Sequence, residues 1–192
     1  DLVLTHTLGN IQRNRSGAAT ALDDSVELAL SVVKETDEGI IVHGARVLAT
    51  LPIADEIAVY PARSHRLPPG APGRPSLAFP IPCEAPGLKF QCREPFDLER
   101  YNLDHPPGSR FEEMDALAFF DNVLVPWERV FLYGDVDMCN NMSLRTHQYL
   151  HSGPQVVTKN VVKCAFILGL ANLMVNTIGP GSSTHLTLPT IY

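Results

Sequence analysis

Ser25-Val26-Glu27-Leu28-Ala29-Leu30-Ser31-Val32-Val33 and, past the acidic turn Glu35-Thr36-Asp37-Glu38-Gly39, Ile40-Ile41-Val42-His43-Gly44-Ala45-Arg46-Val47-Leu48-Ala49-Thr50-Leu51 decide the reading of the fold. In the first run Val26, Leu28, Leu30 and Val32 alternate with Glu27, Ala29 and Ser31, a period of two that marks a half-buried strand. The second opens on three β-branched residues and is also a strand, with Gly44 as a bulge or a point of close backbone approach. The two runs form a hairpin.

Working outward, residues 57–60, 77–81, 88–92, 116–120 and 130–133 are further short strands. Residues 63–75, with the core Pro68-Pro69-Gly70-Ala71-Pro72-Gly73, suit neither helix nor central strand and form an exposed loop. Val125-Pro126-Trp127 is a corner between strands. Short, closely spaced strands with Pro/Gly punctuation predict a mainly β barrel or sandwich. After Gly134 the pattern changes: Val157, Val161, Cys164, Leu168, Ala171 and Val175 recur at helical spacing, and from Cys164 onward the segment is apolar on nearly every face. Such a helix requires neighbours, and the chain offers only the segment 135–150. We therefore expect association with other sequence or another copy. The expected division is a β domain at 1–134, the start of a helical domain at 135–179, and a Ser/Thr/Pro-rich tail of different origin at 180–192. With Asp1 in place of an initiator methionine, the chain reads as an internal piece of a longer protein.

The 192 residues are 45% hydrophobic, enough for one domain with a true core plus an appendage. A net charge of −6 and a pI of about 5.6 supply no basic footprint for nucleic acid or anionic membrane. Cys83, Cys92, Cys139 and Cys164 lack C-x-x-C spacing and are expected to be reduced thiols of a cytoplasmic protein. The apolar run Leu2-Val3-Leu4 is too short for a secretory signal, and the run from Cys164 to Val175 falls short of the roughly 20 residues of a membrane span. A soluble protein is expected.

The opening segment concentrates hydrogen-bonding groups: His6, Asn10, Gln12, Arg13, Asn14 and Arg15. Arg forks suit phosphate, and amides suit heterocycle edges, although a solvated polar loop has the same composition. His147 and His151, four apart, would share a helix face, but no third ligand lies nearby and a structural role is expected for both. There is no G-x-G-x-x-G, P-loop or G-x-S-x-G pattern. Residue patterns alone reach a β domain with a polar cluster.

Several phrases carry more. Leu4-Thr5-His6, Gln12 to Ser16, Val33-Lys34-Glu35-Thr36, Gly44-Ala45-Arg46-Val47-Leu48-Ala49-Thr50, Ala54-Asp55-Glu56, Phe111 to Ala116 and Val125-Pro126-Trp127-Glu128-Arg129-Val130 resemble, in the same order, the 4-hydroxyphenylacetate 3-hydroxylase family. The resemblance implies the β-barrel middle domain of an acyl-CoA-dehydrogenase-like fold, followed by the first helices of a C-terminal bundle, in a homo-oligomer. It implies an oxygenase that takes reduced FAD from a separate, transiently bound flavin reductase, uses O2, and hydroxylates a phenol ortho to its hydroxyl. His6 matches the family histidine at the reacting centre. Gln12, Arg13, Asn14 and Arg15 match the FAD-contacting segment, and Thr50 matches a threonine that hydrogen-bonds the isoalloxazine. Ala62-Arg63 stand where the family has a substrate-contacting Ser-Thr pair, so the phenol need not be the family's own. An arginine and a tyrosine of the site are implied to lie N-terminal to Asp1, so the chain alone is expected to be inactive. Two alternatives are a non-catalytic binding or assembly module and a 4-hydroxybutyryl-CoA dehydratase-like protein. Against the second, Cys164 lies too far from His151 for that branch's local pattern.

Overall fold

The computed structural model describes residues 1–11, 28–61, 66–96 and 103–179, apart from the side chain of Leu48. They fall into two compact units, 1–142 and 143–192. The first unit is mostly β. Its strands are β1 (Leu4–Thr7), β2 (Gly9–Asn10), β3 (Ser31–Glu35), β4 (Gly39–Thr50), β5 (Glu56–Val59), β6 (Leu77–Pro82), β7 (Leu88–Cys92), β8 (Asp115–Pro126) and β9 (Leu132–Tyr133). One sheet runs β1-β5-β6-β9 and the other β2-β4-β8-β7, with β3 also paired to β4. Only β1 and β5 run parallel among these strand pairs.

The hairpin is present: β3 and β4 pair antiparallel, with Glu35 opposite Ile40 across the acidic turn. The first strand is shifted from its expected place. It begins at Ser31 instead of residue 25; Leu28 to Leu30 precede it, with Ala29 bridged to Ala45, and 25–27 lie outside the described residues. Period-two alternation is local and does not specify where a ladder starts, which depends on the partner strand.

Gly44 does what its type suggests. The ladder shifts register between Val42 and Gly44, and Gly44 has a φ of 125° with the Ala29 carbonyl oxygen 2.6 Å from where a Cβ would sit. A Gly44→Ala chain is expected to lose on the order of 1–3 kcal/mol through the unfavourable φ, with the clash adding to it. A urea midpoint matching the parent's would contradict this.

Strand β8 runs on to Pro126, beyond the expected 116–120, because its second half pairs with the start of β4: Val123 lies opposite Val42 and Val125 opposite Ile40. Pro126 ends the strand, where its missing N–H costs no ladder bond. The corner then folds over the hairpin turn, Trp127 donating from Nε1 to the Thr36 carbonyl at 3.0 Å. The inward faces of both sheets meet in one core, in which Phe79 of β6 and Phe120 of β8 pack edge to face at 6.1 Å.

Among residues 66–75, the described part of the Pro/Gly loop, there is no strand or helix. That loop is held by α1 (Val136–Arg145): the Asn140 amide accepts from the Leu67 N–H at 2.9 Å and donates to its carbonyl at 2.8 Å. All four cysteines are free thiols.

The second unit is dominated by α2 (Gln148–Ile178), 31 residues long. It begins well before Val157, the first residue of the helical spacing read from the sequence, and carries Pro154 inside it, a residue that ordinarily disfavours a helix interior. Its length alters the sequence-based expectation, since α2 is long and apolar enough to cross a membrane by length and composition. None of its residues is buried, and Val157, Val161 and Leu173 are among those exposed. His147 is not on the helix. It precedes α2 in a left-handed conformation, φ 53°, so His147 and His151 do not form the expected pair on one helix face.

Candidate functional site

Residues 1–11, the described part of the polar opening segment, are not one continuous loop. They supply two strands, and β1 lies beside β5 with His6 opposite Ala58. Strand alternation buries Thr5 and Thr7 and leaves His6 exposed on the other face. The sequence points to the donors at His6 and beyond; it does not point to the two threonines. Yet these join the sheets: Thr5 Oγ1 donates to the Thr50 carbonyl, and Thr7 Oγ1 donates to the Val47 carbonyl at 3.1 Å. A buried hydroxyl needs such a partner, and β4 provides it.

Thr50 closes β4. Its hydroxyl donates to Asp115 Oδ1 at 2.9 Å, because a carboxylate only accepts, and it retains its own lone pairs for a further donor. The Thr5 bond thus ties the end of β4 at Thr50 to β1 next to His6 in the chain, while the His6 ring lies on the opposite face of β1. Gln12, Arg13, Asn14, Arg15, Ala62 and Arg63 lie outside the described residues.

Arg46 is a group that the sequence patterns do not single out. It is only 3% exposed. Its Nη1 donates to Asn10 Oδ1 and its Nη2 to the Tyr60 carbonyl, while its buried Nε finds no acceptor among the described residues. Burial pushes the guanidinium pKa down to about 10, opposed by the nearby Cys139. One signal in the sequence could have found it: a cation in the middle of Ala45-Arg46-Val47-Leu48-Ala49, an otherwise apolar strand, demands a specific partner.

The family model for the N-terminal region of 4-hydroxyphenylacetate 3-hydroxylase matches residues 1–132. The chain belongs to the 4-hydroxyphenylacetate 3-hydroxylase family. Within it, the chain is 44% identical to the oxygenase component of a 4-hydroxyphenylacetate 3-monooxygenase from Geobacillus sp. (strain PA-9), over 97% of this chain and 37% of that protein. The corresponding protein of Thermus thermophilus is also 44% identical, over 97% of this chain and 38% of its own length. A solved structure of such an oxygenase component, complexed with FAD and 4-hydroxyphenylacetate, superposes with a TM-score of 0.76 at 43% identity, covering 91% of this chain and 36% of that one. The chain therefore spans less than two-fifths of the length of these family members.

The described residues have the chemistry that a flavin of this family requires. An isoalloxazine presents ring N–H groups and carbonyl oxygens along one edge. Thr50 offers free lone pairs to an N–H, and the exposed His6 imidazole has both a donor and an acceptor nitrogen when neutral.

Proposed function

We propose that this chain is part of the oxygenase component of a reduced-FAD-dependent aromatic hydroxylase that places a hydroxyl ortho to that of a phenol. The observation that carries the reading is the 44% identity to such oxygenase components along 97% of the chain. On this reading residues 1–134 are the flavin-binding β-barrel domain of an acyl-CoA-dehydrogenase-like fold, and 135–179 begin its helical domain. The protein works in the cytoplasm and receives its flavin from a separate, transiently bound reductase.

Bound reduced FAD supplies the electrons that activate O2 for transfer of one oxygen atom to the ring. Thr50 accepts a hydrogen bond from the flavin edge, with its hydroxyl oriented by Asp115. The segment Gln12, Arg13, Asn14 and Arg15 holds the rest of the cofactor. His6 hydrogen-bonds the phenol oxygen and favours its phenolate character, which makes the ortho carbon electron-rich. Ala62 and Arg63 are the substrate-binding positions of this reading, and a cation there selects a ring substituent different from the one a Ser-Thr pair would bind.

The test mixes the chain with chemically reduced FAD, O2 and a panel of phenols, and measures catechol formation and FAD retention. The fragment is expected to retain FAD without turnover, and the oxygenase that contains it to form catechol. Absence of both in that oxygenase overturns the reading. The exposed apolar residues of α2 further lead us to expect a homo-oligomer. Light scattering should give a mass above 21.0 kDa, and a monodisperse monomer would contradict it.

A further inference from the structure

We propose that Arg46 is a positioning residue: its fork ties the strand that enters the flavin segment to the strand that enters the substrate segment, holding the two in one geometry. The identity of those segments rests on the proposed function; the tie itself rests on the structure.

Arg46 sits on β4 opposite Asn10 of β2, so its side chain starts beside the residue two positions before Gln12. One arm of the guanidinium takes the Asn10 side chain, and the other takes the carbonyl of Tyr60, two residues before Ala62. Tyr60 is fixed a second time, its N–H donating to the Thr7 carbonyl at 3.1 Å. The fork therefore spans from the sheet of β2 and β4 to the end of β5 in the other sheet. Plain packing would not select this residue. Among the described residues no carboxylate forms an ion pair with Arg46, and its buried Nε is unsatisfied, so an apolar side chain of similar volume would suit the core better. What an apolar residue lacks is the rigid planar pair of arms, and lysine lacks it too.

The test compares R46Q, R46K and N10A in the 192-residue chain by amide hydrogen exchange and by anaerobic titration with dithionite-reduced FAD. Exchange should rise by roughly tenfold or more at residues 9–11 and at Tyr60 in both Arg46 variants, while core amides such as those of Ile57 and Phe79 stay protected. N10A should affect residues 9–11 alone. Affinity for reduced FAD should fall about tenfold in R46Q and R46K alike, since lysine restores charge without the fork. The proposal is overturned by a uniform rise in exchange across the core, by unchanged exchange at the two strand ends, or by full rescue in R46K. If the parent chain takes up no FAD while the exchange pattern is as expected, the tie stands and the flavin assignment of the proposed function is what fails.

Discussion

On the proposed function, replacing His6 with alanine is expected to reduce phenol hydroxylation by about 10²- to 10⁴-fold in the full-length protein, the range associated with loss of one positioned acid–base group. The expectation follows from the placement of the ring. His6 lies between two buried threonines whose hydroxyls are spent on β4, and its own side chain points the other way, exposed and contributing nothing to the core. Removing an exposed side chain ordinarily changes stability by less than about 0.5 kcal/mol. Loss of activity at an unchanged unfolding midpoint is therefore the signature. The rate of catechol formation, with reduced FAD and the phenol of the panel that the parent hydroxylates, provides the measurement. A rate within roughly threefold of the parent's would remove His6 from the reacting centre.

Phe120→Ala is expected to cost about 3–5 kcal/mol, a large part of the stability of a domain this size. Phe120 is 1% exposed, packs edge to face on Phe79, and lies on β8 opposite Gly44, where the ladder is already irregular. Truncation opens a cavity between the two sheets that neighbouring strands, pinned by their ladders, cannot collapse to fill. Urea denaturation followed by tryptophan fluorescence reads the change through Trp127, which is bonded to the hairpin turn at Thr36. A loss below about 1 kcal/mol would show that the site repacks.

Much of the β unit is legible in the residue pattern. The run 88–92 coincides with β7, and the expected ranges of β4, β5 and β6 agree with the observed strands within one residue at each end, because each alternates or is β-branched between Pro/Gly breaks. The long β8 is legible only in its first half, since the sequence around Asp121-Asn122 resembles a turn, and only its pairing with β4 carries it through to Pro126. The opening segment shows its donors in the sequence but not that Leu4–Thr7 is a strand: a short polar run has weak propensity and becomes a strand because β5 lies alongside it.

Hydrophobic periodicity, turn residues and the ordered family phrases carry the β architecture, the helical end and the family, because each is a local or linear property of the chain. The joining of the two sheets is different. Thr5 reaches Thr50, Thr7 reaches Val47, and Arg46 reaches both Asn10 and Tyr60, contacts between residues 14 to 45 positions apart. A buried polar group must find its partner wherever the fold brings one, and that choice is made by strand order and register, which no short stretch of sequence contains.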